Sequence, residues 1–260
     1  MAMLYPYFEQ DGVAIYHASC VDLCAEMSER SVDIVVTDPP YTDRVHDGAR
    51  SNRRLPQIRV EGGGPMRVID FPSMTEAQLG AAFDAIASVA ARWVIATTAF
   101  EHAAKLYENP PTGLRPIRTG AWVKTNPMPQ ITGDRPAQGW EAVAILHAGT
   151  GRPHWNGGGK PATWVGPSAQ STTYPTQKPE WLITRFLMDF ADPGDNVFDP
   201  FMGSGTTLLC AWRRGHKATG CDVREEACEI AAKRIEVAMR QGRLPTDAVA
   251  TPRAVQGAMF

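Results

Sequence analysis

Apolar residues in this chain fall into short unbroken runs, separated by longer stretches in which they recur every three or four positions. The runs at 13–18 (VAIYHA), 32–37 (VDIVVT) and 93–98 (WVIATT) have the length and β-branched content of strands; such continuous runs suit parallel strands covered on both faces. Residues 114–125 and 140–148 read as a pair of strands around a Pro/Gly-rich connection, NPMPQITGDRPAQG, and NVFDPF and ATGCDV supply two more towards the C-terminal end. Helical spacing marks VDLCAEMSE, SMTEAQLGAAFDAIASVAARW, residues 100–107, PEWLITRFLMDFA at 179–191, GTTLLCAWRRG, and residues 224–243. Ser73 and Glu76 fit a capping box, and Pro179 suits a first helical position. Strands alternating with helices predict an α/β fold with a mostly parallel sheet, and the hairpin-like pair adds one antiparallel strand.

Two stretches lose this periodicity. Residues 42–70 contain GAR, RR and EGGGP, and residues 149–177 are rich in Gly, Pro, Ser and Thr with Trp155 and Trp164 embedded. A single domain over 1–260 is expected, with irregular insertions at 42–70 and 149–172, and long irregular loops in compact domains are usually functional or disordered.

Composition narrows the class. Hydrophobic residues make up 43% and charged ones 21%, ordinary for a globular domain. No apolar run approaches the roughly 20 residues of a membrane span, and MAMLYPYFEQ lacks the regions of a signal peptide, so a cytoplasmic location is expected. Cys20, Cys24, Cys210, Cys221 and Cys228 form no pair with metal spacing; they read as buried thiols, and no metal is expected. The net charge of −2 does not mark a nucleic-acid binder, but residues 42–70 carry six Arg against four acids, and residues 111–160 six Lys/Arg against two acids. His17, His102, His147 and His216 sit in or beside regular elements and read as packed or surface residues.

The run 32–37 ends in TDPPYTD. Each proline fixes φ and removes a donor, and each biases its predecessor towards extended backbone. The result is a stiff strand exit that holds Asp38 and Tyr41 in a fixed relation, at the place where open α/β sheets bind ligands. A second constellation is a β–loop–α–β unit, NVFDPFMGSGTTLLCAWRRGHKATGCDV. Gly203 and Gly205 lie in its loop, and Asp222 follows Asp199 by 23 positions, at the end of the next strand. An acid about 20 residues after a Gly-rich turn commonly binds ribose hydroxyls. Leu208 stands where a dinucleotide fingerprint has its third glycine, and GTT replaces the GKS or GKT of a phosphate loop. A nucleoside cofactor without phosphate fits better, and S-adenosylmethionine is one.

TDPPY, then YPTQKPEWLITRFL, then VFDPFMGSGTT, in that order, resemble the amino-group DNA methyltransferases, and the order resembles their circularly permuted β class. The resemblance runs from about residue 13 to about 240, and WVKTNPMP (122–129) joins it. It implies a Rossmann-like S-adenosylmethionine-dependent fold and methyl transfer to the N6 amino group of adenine in double-stranded DNA, by in-line displacement on a flipped base. Asp199, Phe201, Gly203, Ser204, Gly205 and Thr206 would line the cofactor's methionine and sugar. Asp222 would accept from the ribose hydroxyls, with Val223 beside the adenine ring, and Thr176 and Lys178 would hold the methionine carboxylate. Asp38, Pro39, Pro40 and Tyr41 would form the target-base site, with Asp38 also against the cofactor. Tyr174 departs from the family, which usually has His there. The resemblance also makes the insertions at 42–70 and 149–172 candidate DNA-recognition segments, with Arg50, Arg53, Arg54 and Lys124 as candidate DNA contacts. The resemblance admits a homodimer and a cognate restriction nuclease without deciding either.

Three alternatives stay open at this point. Cytosine-N4 methylation shares the fold, although there the family more often has Ser in place of Asp38. A catalytically idle cofactor- and nucleic-acid-binding module is opposed by Asp38 and Tyr41. A nicotinamide oxidoreductase is weakened by Leu208.

Overall fold

A computed structural model describes residues 3–40, 74–127, 129–130, 133–169 and 177–243. Tyr41, Arg50, Arg53, Arg54, Ser73, Thr176 and the segment 42–70 lie outside the described residues. Among the described residues nine strands form one sheet: β1 (Phe8–Gln10), β2 (Val13–His17), β3 (Val32–Thr37), β4 (Ala90–Thr98), β5 (Leu114–Lys124), β6 (Trp140–Ala148), β7 (Thr163–Gly166), β8 (Asn196–Asp199) and β9 (Lys217–Asp222). Their spatial order is β1-β2-β9-β8-β3-β4-β6-β5-β7. The central strands are parallel: β2 with β9, β9 with β8, β8 with β3, and β3 with β4. The pair expected at 114–125 and 140–148 is β5 and β6, with β6 antiparallel to both β4 and β5. The short edge strand β1 is a second reversed strand, joined to β2 through Asp11 and Gly12 at φ 45° and 79°. Two positive φ values in succession suit the tight turns that match strand twist.

Helices α1 (Cys20–Glu26), α2 (Glu76–Val89), α3 (Phe100–Glu108), α4 (Glu180–Phe190), α5 (Thr206–Arg213) and α6 (Glu225–Gln241) connect and flank the strands. The apolar faces of α4, α5 and α6 meet one face of the sheet in a cluster that includes Phe186, Leu208 and Ile235. The other face meets α1 and α2 through Leu23, Phe83 and Ile86. Both faces of the central strands are therefore covered, which explains why β3 reads as an unbroken apolar run.

Three local expectations change. The capping box on α2 is made by Thr75 and Gln78, two residues beyond the expected pair: the Thr75 hydroxyl accepts from the Gln78 N–H at 3.2 Å, and the Gln78 side chain accepts from the Thr75 N–H at 2.9 Å. Pro179 is the residue before α4 rather than its first turn. Segment 149–172 is not wholly irregular, because residues 163–166 pair with β5 as β7. Both of its tryptophans turn inwards. Trp164 is 5% exposed and stands edge-on to Phe186 with ring centres 4.8 Å apart. Trp155 packs on Phe190 at 5.2 Å and donates to the Gly158 carbonyl at 2.6 Å. Such edge-to-face aromatic contacts are those of a core.

All five cysteines are buried free thiols. His102, His147 and His216 are buried as well, and burial lowers the pKa of His216 to about 4. Among the described residues no helix is long and apolar enough to cross a membrane.

Candidate active site

Parallel strands β8 and β3 lie side by side, but the chain leaves them in opposite directions: β8 leads through α5 to β9, and β3 leads towards β4. A crevice opens at the carboxyl ends of strands that diverge in this way. Here it is a cavity of about 720 Å³ whose walls include Asp38, Pro39, Pro40, Trp122, Lys124, Glu141, Lys178, Asp199, Phe201, Gly203, Ser204, Thr206, Asp222 and Val223. Two motifs separated by about 160 residues in sequence thus face one space.

Asp199 organises the wall between them. Its carboxyl is buried, and Oδ1 accepts from the Thr37 hydroxyl at 2.8 Å and from the Phe201 N–H at 3.1 Å. Loss of hydration raises its pKa to about 7, although hydrogen bonds from Thr207, Thr37 and Phe201 favour the anion. The carboxyl is therefore committed to shaping the loop.

The loop that follows serves packing as much as a ligand. Gly205 has φ 74°, and a Cβ on it would lie 2.7 Å from the Ala231 Cβ of α6. Its lack of a side chain lets α6 approach. Leu208, where a dinucleotide loop has its third glycine, rests on Gly220 of β9, so close that a Cβ there would meet Leu208 Cδ1 at 2.8 Å. The close helix–strand contact is made with the glycine on the strand. Arg234 of α6 supports the loop from behind. It donates to the Ser204 carbonyl at 2.5 Å, the Ser204 hydroxyl at 2.9 Å and the Thr206 hydroxyl at 3.2 Å, and it pairs with Glu180 at 3.2 Å.

At one end of the cavity Asp222 terminates β9, with Val223 exposed beside it. Arg224 folds back onto the Asp222 carboxylate, donating to Oδ1 from Nε at 3.1 Å and to Oδ2 from Nη2 at 3.1 Å. At the other end Asp38 follows β3. Thr97, at the end of β4, donates to Asp38 Oδ1 at 2.7 Å, and Lys178 Nζ lies 2.7 Å from Oδ2. Lys178 also lies 3.3 Å from Glu141 Oε2, while Lys124 holds Glu141 Oε1 at 2.7 Å and stands 5.1 Å from the centre of the Trp122 ring. Four charges thus alternate: Asp38, Lys178, Glu141, Lys124. Burial raises the pKa of Asp38 and Glu141 pushes it further, with Lys178 and Thr97 opposing. Burial also disfavours the Glu141 anion, but its two lysines prevail and hold its pKa below the usual carboxylate range.

Lys178, expected on the cofactor's carboxylate, has its ammonium between two protein carboxylates. Lys124, expected on DNA, lines the cavity and is only 19% exposed. Thr37, Thr97, Glu141, Arg224 and Arg234 were missed in sequence. Only Thr37 and Thr97 carried a signal, as polar residues ending apolar strands, and the others are ordinary charged residues in a strand or helix.

The donor set points to a ligand. Each cation on the described cavity wall, Lys124, Lys178 and Arg224, sits against a carboxylate. A phosphate would have to displace one of these acids. A neutral ribose needs only acceptors, and Asp222 supplies them. The cavity therefore fits a nucleoside cofactor free of phosphate, as S-adenosylmethionine is.

Fold and cavity together place two loops, one from each of two adjacent strand ends, on one space at the switch point of an α/β sheet. A family model described as DNA methylase matches residues 32–233, and the chain belongs to this N6/N4 DNA methylase family. It is 25% identical over 255 residues to the type II methyltransferase M2.DpnII of Streptococcus pneumoniae, a match covering 90% of this chain and 93% of that one. M2.LlaDCHI of Lactococcus lactis subsp. cremoris is 25% identical over 256 residues with the same shares. Two solved structures share the fold. The M1.HpyAVI–SAM complex has a TM-score of 0.62 at 22% identity, covering 86% of this chain and 99% of that one. The cytosine-N4-specific PvuII DNA methyltransferase has a TM-score of 0.67 at 15% identity, covering 88% of each. The protein is a DNA methyltransferase of the N6/N4 amino-methylase class, and its methyl donor is S-adenosylmethionine.

Two measurements check this geometry. Replacing Asp222 with Ala removes the acceptor at the ribose end, so S-adenosylhomocysteine affinity should fall by about 1.5–3 kcal/mol in calorimetry; an unchanged affinity would place the ribose elsewhere. Asp199 has a folded pKa of about 7 against an ordinary 3.8. The folded state therefore holds this proton more tightly than the unfolded chain, and its contribution to stability declines as pH rises from about 4 to about 7. Asp199→Asn has no such proton, so urea unfolding across that range should shift in the variant's favour by on the order of a few kcal/mol. A constant difference between the two proteins would show that Asp199 ionises as it does when unfolded.

Proposed function

We propose that this enzyme methylates the N6 amino group of adenine in double-stranded DNA, with Asp38 as the hydrogen-bond acceptor for that group. The observation that carries the reading is the Asp38 carboxylate, held at the cavity wall by Thr97 and Lys178 with its side chain still 30% exposed. The choice of adenine rests on aspartate at position 38, where cytosine-N4 relatives more often have serine.

An exocyclic amino nitrogen is a poor nucleophile because its lone pair is delocalised into the ring. Acceptors placed on its N–H groups favour a tetrahedral nitrogen and stabilise the positive charge that grows there. Asp38 supplies one acceptor as an anion. A carbonyl of the Pro39–Pro40 segment supplies the second, its direction fixed by the rings. Acceptors fixed in advance need no rearrangement as charge develops. Tyr41, next in sequence, stacks on the base, a contact worth roughly 1–3 kcal/mol. The base reaches the cavity by leaving the duplex, where its amino group would otherwise be paired. When bound, S-adenosylmethionine supplies a methyl group activated on a positively charged sulfur. Asp222 holds its ribose, Val223 flanks its adenine, and the loop from Asp199 to Thr206 lines the rest. Arg50, Arg53 and Arg54 serve the DNA phosphates or bases. The relatives named type II methyltransferases support a place beside a restriction nuclease.

The test is nucleoside mass spectrometry of DNA treated with the enzyme and its methyl donor. N6-methyladenine is expected; N4-methylcytosine in its place would overturn the choice of base. Asp38→Asn keeps the shape and loses the charge, so it should bind DNA and S-adenosylhomocysteine normally yet transfer methyl on the order of a hundredfold more slowly, a loss of about 3 kcal/mol. Wild-type turnover by Asp38→Ala would overturn the mechanism.

A further inference from the structure

Glu141 Oε2 is a buried carboxylate oxygen that makes no close hydrogen bond, only a 3.3 Å ion-pair contact with Lys178. It belongs to a side chain that is only 12% exposed, on the cavity wall. An anionic acceptor buried without a close donor is costly, and the nearest cation is Lys178 at 3.3 Å, whose contact with Asp38 at 2.7 Å is closer. The other Glu141 oxygen already holds Lys124 at 2.7 Å. Glu141 therefore holds Lys124 closely on Oε1 and Lys178 more loosely on Oε2, so the Lys178 ammonium bridges two carboxylates and sits nearer Asp38.

This arrangement matters because Lys178 occupies the oxygen that the reaction needs. Asp38 Oδ1 is engaged by Thr97, and Oδ2 by Lys178. An ammonium on Oδ2 weakens that oxygen as an acceptor for an amino group that is becoming positive, and like charges in contact repel. Yet without a cation nearby in the resting state, Asp38 would tend to take a proton, because burial already raises its pKa. A cation is useful before the base arrives and a hindrance once it has.

We propose that Glu141 is a positioning residue for methyl transfer: it is the second seat of Lys178, which moves from Asp38 Oδ2 to Glu141 Oε2 and so vacates Oδ2 for the N–H of the target amino group. In the shifted state each Glu141 oxygen holds one lysine, Thr97 still donates to Asp38 Oδ1, and the charge of the cluster is unchanged. No bond is made or broken; one ammonium changes carboxylates. The inference rests on the reading of Asp38 given above, and it predicts which other groups control that residue.

The test uses the full chain in single-turnover methyl transfer to DNA, at saturating S-adenosylmethionine. Glu141→Gln removes the negative charge that competes with Asp38 for Lys178. Its transfer rate should fall on the order of tenfold or more, while DNA half-saturation and S-adenosylhomocysteine affinity stay near wild type, the pattern of an interaction that acts only in the transition state. Glu141→Asp, which keeps the charge, should recover part of the rate. The decisive arm is the double variant Glu141→Gln with Lys178→Met. Assayed at a pH high enough to ionise Asp38 without its ammonium, it should transfer methyl faster than Glu141→Gln alone, which a purely structural role for either residue would not produce. Wild-type rates in both Glu141→Gln and Glu141→Asp would overturn the proposal. So would a double variant slower than Glu141→Gln, provided thermal unfolding shows the variants folded. Asp38→Asn run in parallel separates the two ideas: normal turnover there overturns both, whereas slow turnover there with normal Glu141→Gln overturns only the seat exchange.

Discussion

One hydrogen bond joins the two halves of the site: the Thr37 hydroxyl donates to Asp199 Oδ1 at 2.8 Å. Thr37 ends β3 and leads into Asp38, Pro39 and Pro40; Asp199 ends β8 and leads into the glycine loop. Backbone pairing fixes the register of the two strands, Ile34 opposite Val197 and Val35 opposite Phe198, but it stops short of the strand ends. Beyond that point the loops would be free to choose their own paths. The Thr37 bond, together with the Phe201 N–H on the same oxygen, ties both loops to one buried carboxyl. A buried hydrogen-bonded acceptor is expensive to disturb, so the distance between the ribose end and the Asp38 end is set by a contact that ligands do not have to make.

Charges in the cavity follow a second constraint. Every cation described on its wall is matched by an acid, which makes the space nearly neutral despite its four acidic and three basic side chains. Such pairing offsets part of the cost of placing charges in a partly desolvated space. It also turns the pairing itself into a variable, since Arg224 can share Asp222 with a ribose and Lys178 has two carboxylates in reach. Methyl transfer to a neutral nucleobase suits a site in which ammonium groups are held back from the reacting nitrogen.

Much of this was legible in sequence because its cause is local. Continuous apolar runs identify covered strands, so β2, β3, β4, β5, β6, β8 and β9 could be read, and Pro-Pro and Gly-x-Gly mark backbone that only those residues tolerate. Asp38 and Asp222 were visible as acids at predicted strand ends. β1 went unread because three residues carry almost no periodicity. The remainder depends on tertiary neighbours. Nothing near Glu141 in WEAVAILH says that Lys178, 37 positions on, will lie 3.3 Å away. Ser204 and Thr206 resemble ligand-binding hydroxyls until Arg234 of α6 is seen to donate to both. Trp155 and Trp164 sit in a polar stretch, and only packing against α4 shows them to be core.

The central claim is that the two loops work because one bond fixes their separation. Thr37→Val tests it most directly, since it keeps the shape and the strand and removes only the hydroxyl. At saturating DNA and S-adenosylmethionine, its single-turnover transfer rate should fall on the order of ten- to a hundredfold, the cost of a small misplacement of reacting groups. Cofactor affinity should stay within a few-fold, because Asp222 at the end of β9 is untouched. A Thr37→Val enzyme that transfers methyl at the wild-type rate would contradict the account.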